Sequence, residues 1–372
     1  MNSYANHAYL YRSVYGNDRE AEEVTAQPRE QSIERVRALL ESAGFFVSDA
    51  HSLRPTSFDL LARRDSLLLI VKVLKNIDAL DPGEAARLHE LAGLFPAVPI
   101  LIGQTSGAME LEAGVVYNRY GVPIIVEESL RDYLGKGIPP FLVSSPGGIF
   151  ARVDGERLRQ LREERQISLG TLASVAGVSR RTIQLYEDGS GAEVTVVERI
   201  ERFLGEPVAI PIELFREPVR ARDTPKSNER TDEPKGKSGT RKADDEDAPS
   251  RRAPRPAPTG DPLRDGVFRQ LDGMGWEVVV TVRAPFDAFT RGPPRTDEEI
   301  LLTSVGSFRN AQHRAEILQQ LARVAEGHAL FVVREALART SIDGLPIVTM
   351  PELRRHRDRD ELLETITERE GS

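Results

Sequence analysis

Side chains that could carry metal or nucleophilic chemistry are few and scattered in this sequence. It contains no cysteine, so a thiolate zinc site and a disulfide framework are both excluded. The six histidines lack the spacing of metal ligands: His7, His51, His89, His313, His328 and His356. No Ser-His-Asp arrangement, glycine-rich phosphate loop or deaminase signature occurs. These patterns predict no metal ion, no cofactor and no catalytic residue.

The polar and small residues of the segment Glu156–Leu204 instead predict short helices that pack closely. Ser168 and Ser179 are good N-caps, because a serine hydroxyl can accept a hydrogen bond from the first helical turn. Ala173 and Gly177 are small enough for two helices to approach each other, and Gly177 suits a tight turn. The apolar spacing places the helices at 156–166, 169–176, 180–187 and 194–204. Such packing lets one helix protrude into a DNA major groove about 12 Å wide.

The residues from Leu161 to Gly189 resemble the Cro/repressor helix-turn-helix. They read Leu-Arg-x5-Ser-Leu-x-x-Leu-Ala-x-x-Ala-Gly-Val-Ser-x-x-Thr-Ile-x-x-Tyr-Glu-x-Gly, so many spaced positions agree together. The resemblance implies a double-stranded DNA partner and a recognition helix over Ser179–Glu187. The residues implied to contact DNA are Ser168, Leu169, Ser179, Arg180, Arg181, Thr182, Gln184 and Leu185.

Within this resemblance, side-chain chemistry suggests separate roles. An arginine such as Arg180 or Arg181 can make a bidentate contact to guanine, Gln184 can pair with adenine, and an aliphatic side chain can meet a thymine methyl. The helix that begins at Ser168 and Leu169 is expected to present its free amides to a phosphate. Arg162 and Glu187 resemble the ion pair that ties the first helix to the recognition helix in this family.

The positive charge expected after the recognition helix is missing. Ser190–Glu193 has no basic residue, and Glu156–Glu206 is not net basic. Each missing phosphate contact lowers affinity, so one copy is expected to bind weakly. The sequence therefore predicts a homodimer on a two-fold symmetric site, with half-sites about one helical turn apart.

Composition shifts divide the rest of the chain. Residues 1–29 show no apolar periodicity, and residues 216–260 are crowded with charged residues, proline, serine and glycine. Both segments are predicted to be disordered, because they cannot bury enough apolar surface to offset the entropy lost on ordering. Apolar runs predict mixed α/β domains over 30–145 and 261–363, on either side of a helix-turn-helix domain over 150–215.

Two short patterns recur in the same order in both α/β domains. Ser57–Asp59 corresponds to Pro285–Asp287, and Val122–Val126 corresponds to Leu345–Thr349. The shared order predicts that the second domain duplicates the first. The predicted fold class is therefore α/β plus all-α, with two duplicated α/β domains around a central helix-turn-helix domain of four to five helices.

The first α/β domain resembles the restriction-endonuclease-like PD-(D/E)xK fold, which carries an aspartate on one strand and a lysine on the next. Asp59 and Lys72 match these positions. A magnesium-dependent nuclease also needs a second carboxylate two residues before the lysine, because one aspartate cannot both hold the metal and orient water. That position is Ile70. In the second domain Asp287 persists, and the sequence alignment puts Ser304 at the lysine position and Leu302 at the carboxylate position.

Both domains are therefore interpreted as catalytically inactive. Asp59 is interpreted as a strand-end residue that caps a turn, and Lys72 as an edge lysine whose amine reaches solvent. The alternative is a magnesium-dependent nuclease or DNA-processing enzyme that uses Asp59 and Lys72, with Glu41 of the first helix as a possible further carboxylate.

Bulk properties restrict the remaining choices. The net charge of -8 argues against a protein that coats nucleic acid through overall charge, but it allows one local positive face. No apolar run of signal-peptide length starts the chain, and none approaches the roughly 18 residues of a membrane span. A cytoplasmic protein without a membrane partner is expected.

The order of the domains resembles an archaeal family of Cro/repressor-type transcriptional regulators, with Gly147-Gly148 and Asn76-Ile77-Asp78 as further matching features. The resemblance implies a sequence-specific DNA-binding regulator that is not an enzyme. Two alternatives stay open: the helix-turn-helix-targeted nuclease described above, and a protein-interaction module without a DNA role, which the acidic charge favours.

Overall fold

The computed structural model describes residues 29–49, 56–215, 258–292, 299–334 and 339–370. They form two compact units, the first made mainly of 29–215 and the second made of most of 258–370. The predicted disordered segments lie outside the described residues, apart from residue 29 of the first and residues 258–260 of the second. In the parts of the chain that the structure describes, no helix has the length and apolar character needed to cross a membrane.

The first unit begins with an α/β domain. Its helices are α1 (Arg29–Ser42), α2 (Pro82–Leu94) and α3 (Glu127–Lys136). Its strands are β1 (Phe46–Asp49), β2 (Leu60–Arg64), β3 (Leu67–Asn76), β4 (Val98–Ser106), β5 (Met109–Glu110), β6 (Val115–Arg119) and β7 (Val122–Ile125). They pair in the order β1-β2-β3-β4-β7-β6, with β5 on β4. Strands β3, β4 and β7 run parallel to one another, which fits their apolar runs buried on both faces.

Four helices follow in the same unit. They are α4 (Gly155–Glu164), α5 (Leu169–Ala176), α6 (Arg180–Glu187) and α7 (Val194–Leu204). The first of them ends two residues earlier than predicted, because Arg165 is its C-cap and Gln166 has a positive φ of 54°. The other three match the predicted ranges.

The sheet continues into the helical domain through three short strands that the sequence did not predict. They are β8 (Leu142–Ser145), β9 (Gly148–Ala151) and β10 (Ala192–Glu193). The order is β6-β8-β9-β10, and β10 lies in the connection between α6 and α7. The predicted border at 145–150 therefore falls within the β8–β9 hairpin.

The chain after α7 returns to the α/β domain. The Ile212 amide donates to the Pro140 carbonyl at 2.8 Å, and Leu214 lies in the core that also contains β3 and β4 residues. The ring of Phe215 packs 5.2 Å from that of Tyr133 on α3. The helix-turn-helix is thus joined to the first α/β domain by a shared sheet and by a returning segment.

The second unit repeats the order of the first domain. Its helices are α8 (Pro262–Gly273), α9 (Phe308–Val324), α10 (Met350–Leu353) and α11 (Arg359–Glu370). Its strands are β11 (Glu277–Val280), β12 (Ala288–Arg291), β13 (Ile300–Gly306), β14 (His328–Val333), β15 (Ser341–Ile342) and β16 (Leu345–Thr349). They pair in the order β11-β12-β13-β14-β16-β15 with the same sequence of antiparallel and parallel neighbours. Helix α11 runs past the predicted domain end at 363, and its Leu362 and Ile366 are fully buried.

Candidate nucleic-acid interface

The two helices of the predicted motif begin and end as the sequence indicated. The Ser168 hydroxyl accepts from the Thr171 amide at 3.0 Å, and the Ser179 hydroxyl accepts from the Thr182 amide at 3.1 Å. Gly177 ends α5 with a φ of 71°, a conformation that L side chains adopt at a cost. These local bonds fix where α6 starts relative to α5.

Helix α6 has one buried and one exposed face. Ile183 and Tyr186, three residues apart, are buried in the core of the helical domain. The opposite face carries the predicted base-contacting residues, all exposed: Arg180, Arg181, Gln184 and Leu185. Leu185 is 42% exposed, although leucine side chains are usually buried. Of the other predicted DNA-contacting residues, Ser168 and Ser179 are exposed, and Leu169 and Thr182 are half-buried.

The back of the helical domain is held by ion pairs. Arg162 Nε lies 2.6 Å from Glu187 Oε1, which confirms the predicted pair. The hydrogen bond that Arg162 donates to the Glu187 carboxylate raises the pKa of Arg162, so the guanidinium stays charged. The other arginines of α4 and its C-cap also pair with carboxylates: Arg157 and Arg165 with Glu206, and Arg159 with Glu187.

The exposed face of α6 differs in charge from the paired arginines of α4. Within the described residues, Arg180 and Arg181 form no ion pair and donate no hydrogen bond to a carboxylate. Glu187, Asp188 and Glu206 instead pair with arginines of α4 and its C-cap, which a residue count along the sequence could not reveal. Unneutralised guanidinium groups on a protruding helix are suited to phosphate and guanine.

A further arginine near this face was missed in the sequence. A Cβ added at Gly177 would lie 3.0 Å from Nη1 of Arg199, so this α7 side chain packs over the turn between α5 and α6. Arg199 is exposed and adds positive charge beside the motif. No local pattern could have identified it, because it lies 22 residues after the glycine that it covers.

The endonuclease-like residues of the first α/β domain are engaged in structural contacts. Asp59 has a 2% exposed side chain, and Arg29 Nη2 contacts its oxygens at 2.6 and 2.8 Å. The Val73 amide also donates to Asp59 Oδ2 at 2.8 Å. The interpretation of Asp59 as a turn cap is therefore wrong: the carboxylate bonds to α1 and to the neighbouring strand β3.

Lys72 is also not an edge residue. Strand β3 lies between β2 and β4, and the Lys72 amine is buried 2.8 Å from Glu84 Oε1 of α2. Ile70 is fully buried in the position where the second carboxylate would stand. Glu41 cannot replace it, because it lies at the exposed end of α1, roughly 18 Å along the helix from Arg29, which holds Asp59.

The second α/β domain has the same backbone arrangement around Asp287. The Asp287 amide donates to the Thr303 carbonyl at 2.9 Å, as the Asp59 amide donates to the Val71 carbonyl at 2.8 Å. The Val305 amide donates to Asp287 Oδ2, which again matches Val73. In this register Ser304 is equivalent to Lys72 at the lysine position, and Leu302 is equivalent to Ile70 at the carboxylate position, as the sequence alignment predicted. Arg264 pairs with Asp287 at 3.0 Å.

Neither aspartate belongs to a cluster that could hold a metal. Among the described residues, no group of three or more histidine, aspartate or glutamate side chains has the required arrangement. Each aspartate instead neutralises an arginine from the first helix of its domain, which gives it a structural role.

Known proteins support both parts of this description. Residues 29–140 match the PD-(D/E)XK superfamily domain, and residues 155–209 match a helix-turn-helix domain. No solved structure matches the chain significantly.

Relatives of nearly equal length come from archaea. A protein of Natronomonas pharaonis is 34% identical over 92% of this chain and 98% of its own length. One of Halobacterium salinarum is 36% identical over the same shares, and one of Methanocella arvoryzae is 34% identical over 92% and 97%. All three carry the name "Putative HTH-type transcriptional regulatory protein". With a helix-turn-helix domain and an α/β domain of the PD-(D/E)XK superfamily, this chain belongs to that archaeal family of HTH-type transcriptional regulatory proteins.

Proposed function

We propose that this protein regulates transcription by inserting α6 into the major groove of specific double-stranded DNA sites. The observation that carries the proposal is the exposed face of α6, where Arg180 and Arg181 lack carboxylate partners in a domain whose α4 arginines are all paired. The proposed DNA contacts are those of Ser168, Leu169, Ser179, Arg180, Arg181, Thr182, Gln184 and Leu185. A DNA partner also implies a cytoplasmic location beside the chromosome.

A homodimer is part of this proposal. The helical domain has few unpaired basic residues, so one copy would make few phosphate contacts. Two copies related by a two-fold axis would double these contacts and read two half-sites about one helical turn apart. We further propose that the second α/β domain arose by duplication of the first, which the common strand order and the matching aspartate hydrogen bonds support.

The test is an electrophoretic mobility shift with genomic fragments. The double variant Arg180→Ala/Arg181→Ala should weaken binding at least about tenfold, because it removes two guanidinium contacts to DNA and one lost contact to a base already costs about 1–3 kcal/mol. Arg131→Ala/Lys136→Ala is the matched control, since it removes two exposed positive charges from α3. Equal binding by the double variant and the wild type would contradict the assignment of α6. Absence of any salt-dependent binding would favour a protein-interaction module.

A nuclease is the second candidate, and one observation favours it. Glu84 brings a carboxylate to within 2.8 Å of the Lys72 amine, so α2 supplies a residue type that β3 lacks. The contacts of Arg29 and the Val73 amide with the Asp59 carboxylate weigh against it. Incubation of supercoiled and branched DNA with Mg²⁺ or Mn²⁺ decides between the candidates. Cleavage that Asp59→Asn abolishes, in a variant that still binds DNA, would establish the enzyme.

A further inference from the structure

The side chain of Arg180 occupies a space that a glycine leaves open. Arg180 is the first residue of α6, and its guanidinium lies over Gly170 in the first turn of α5. A Cβ added at Gly170 would lie 2.9 Å from Arg180 Nε, 3.0 Å from Nη2 and 3.2 Å from Cζ. Any side chain at position 170 would therefore displace the guanidinium.

The three atoms nearest to a Cβ at Gly170 all belong to Arg180, and no other exposed residue of α6 is among them. Helical side chains tilt toward the N-terminus, so an arginine at the first position reaches out of α6 toward the preceding helix. Arg181, Gln184 and Leu185 are spaced i, i+3 and i+4 along α6, but Gln184 also lies four residues after Arg180, so helical spacing alone does not separate the two arginines. The contact with Gly170 distinguishes Arg180, because it places this guanidinium against α5.

We propose that Arg180, seated on Gly170, binds a DNA phosphate and sets the position of α6, whereas Arg181, Gln184 and Leu185 read the bases. In a helix-turn-helix the helix before the recognition helix crosses the sugar-phosphate backbone, and the Arg180 guanidinium packs on that helix. A guanidinium without a carboxylate partner is a bidentate donor for phosphate oxygens. Phosphate contacts fix register, and base contacts carry sequence information. This division of roles rests on the proposed DNA-binding function.

The division predicts different behaviour for the two arginines. Dissociation constants are measured over a range of salt concentrations for the full chain, on a preferred site and on the same site with single base changes. Arg180→Ala should weaken binding to all these sites by the same factor, and the slope of log affinity against log salt should fall by about one per half-site. Arg181→Ala should reduce the preference for one base pair by about tenfold.

Gly170→Ala is the sharper variant, because it keeps every charge. It should displace the Arg180 guanidinium and lower the salt slope as Arg180→Ala does, with base preference unchanged. Folding is expected to be preserved, because alanine favours a helix over glycine by about 1 kcal/mol. Gly93→Ala in α2 is the matched control, since an added Cβ there meets nothing within 4 Å. Thermal unfolding of each variant confirms that the domain remains folded.

Each outcome is decisive. A changed base preference in Arg180→Ala, or a Gly170→Ala variant with the wild-type slope, would overturn the proposed phosphate contact. An Arg181→Ala variant that loses affinity equally on all sites would overturn the assignment of base reading. If the wild-type chain shows no salt-dependent binding to duplex DNA, the proposed function itself fails, which is a different result from these.

Discussion

A single buried carboxylate, Glu187, connects α6 to α4 of the same domain. It is the last residue of α6, is 5% exposed, and accepts two hydrogen bonds from Arg162 at 2.6 and 3.2 Å. Arg159 adds a contact at 3.3 Å. Glu187 pairs with Arg159 and Arg162 of α4, so it does not neutralise Arg180 and Arg181 of α6. This residue therefore contributes both to the angle of α6 and to the charge of its exposed face.

We predict that Glu187→Gln lowers the free energy of unfolding by about 2–3 kcal/mol, since it leaves Arg162 half-buried without its partner charge. Urea unfolding followed by circular dichroism measures the change. Glu163→Gln is the control, because Glu163 is 62% exposed and its contact with Arg162 is expected to contribute under about 1 kcal/mol. Similar losses in both variants would show that burial of Glu187 is unimportant.

Gly155 is required for a steric reason. It is the first residue of α4, and an added Cβ would meet the Tyr186 carbonyl oxygen at 2.6 Å and the backbone of Glu187 more closely still. The end of α6 therefore packs directly on the start of α4.

Gly155→Ala should destabilise the chain by about 1–3 kcal/mol, because backbone must move to admit the methyl group. Gly135→Ala in α3 meets nothing within 4 Å and should be neutral or stabilising. Thermal unfolding of the two variants checks the difference. A Gly155→Ala variant as stable as Gly135→Ala would mean that α4 and α6 can separate freely.

At the scale of elements, Glu201 on α7 holds the chain that leaves the helical domain. Its Oε1 accepts from the amides of Val208 and Ala209 at 2.8 and 3.0 Å. Burial raises the pKa of this carboxyl above its usual value, although the two amide hydrogen bonds act in the opposite direction. The folded state therefore favours the protonated form more than the unfolded state does.

This direction predicts a pH dependence of stability. The stabilisation of the folded state that results from the raised pKa of Glu201 is fully present below about pH 4.3, the ordinary pKa in the unfolded chain. It is lost as pH rises through the raised pKa of the folded state. Glu201→Gln should remove this dependence while its amide oxygen still accepts both hydrogen bonds. Glu201→Ala should cost about 1–3 kcal/mol, because two backbone amides lose their acceptor. Urea unfolding from pH 4 to 7 compares the three proteins. A Gln variant with the wild-type pH profile would contradict the prediction.

At the scale of the whole molecule, the helix-turn-helix is part of a larger unit than the sequence suggested. Strand β10 extends the sheet of the first α/β domain into the connection between α6 and α7. The segment after α7 then places Leu214, 5% exposed, in the α/β core. A domain of the PD-(D/E)XK superfamily whose aspartate is held by an arginine thus supports the domain that carries α6.

Leu214→Ala should lower the free energy of unfolding by about 2–4 kcal/mol, because it leaves a cavity where the returning segment meets the α/β core. The urea concentration at the midpoint of unfolding, followed by circular dichroism, should fall accordingly. Met109→Ala, at a side chain 73% exposed, should change the free energy of unfolding by less than about 0.5 kcal/mol. If both variants unfold like the wild type, the returning segment does not contribute to stability.

The sequence alone determined the features that depend on neighbouring residues. Serine caps, the turn at Gly177 and the inward spacing of Ile183 and Tyr186 rest on bonds and packing within a few residues, so helices α5 to α7 and the exposed residues of α6 could be predicted from it. The ion pair of Arg162 with Glu187 could be predicted from the family pattern.

Only the tertiary structure decided the contacts between distant parts of the chain. Arg29 meets Asp59 across 30 positions, and Gly155 packs on the end of α6. Strands β8, β9 and β10 have two to four residues each, too few for an apolar period to show. Lys72 has the same local sequence whether it lies at an edge or inside a sheet, and only the order of the strands made it a buried partner of Glu84.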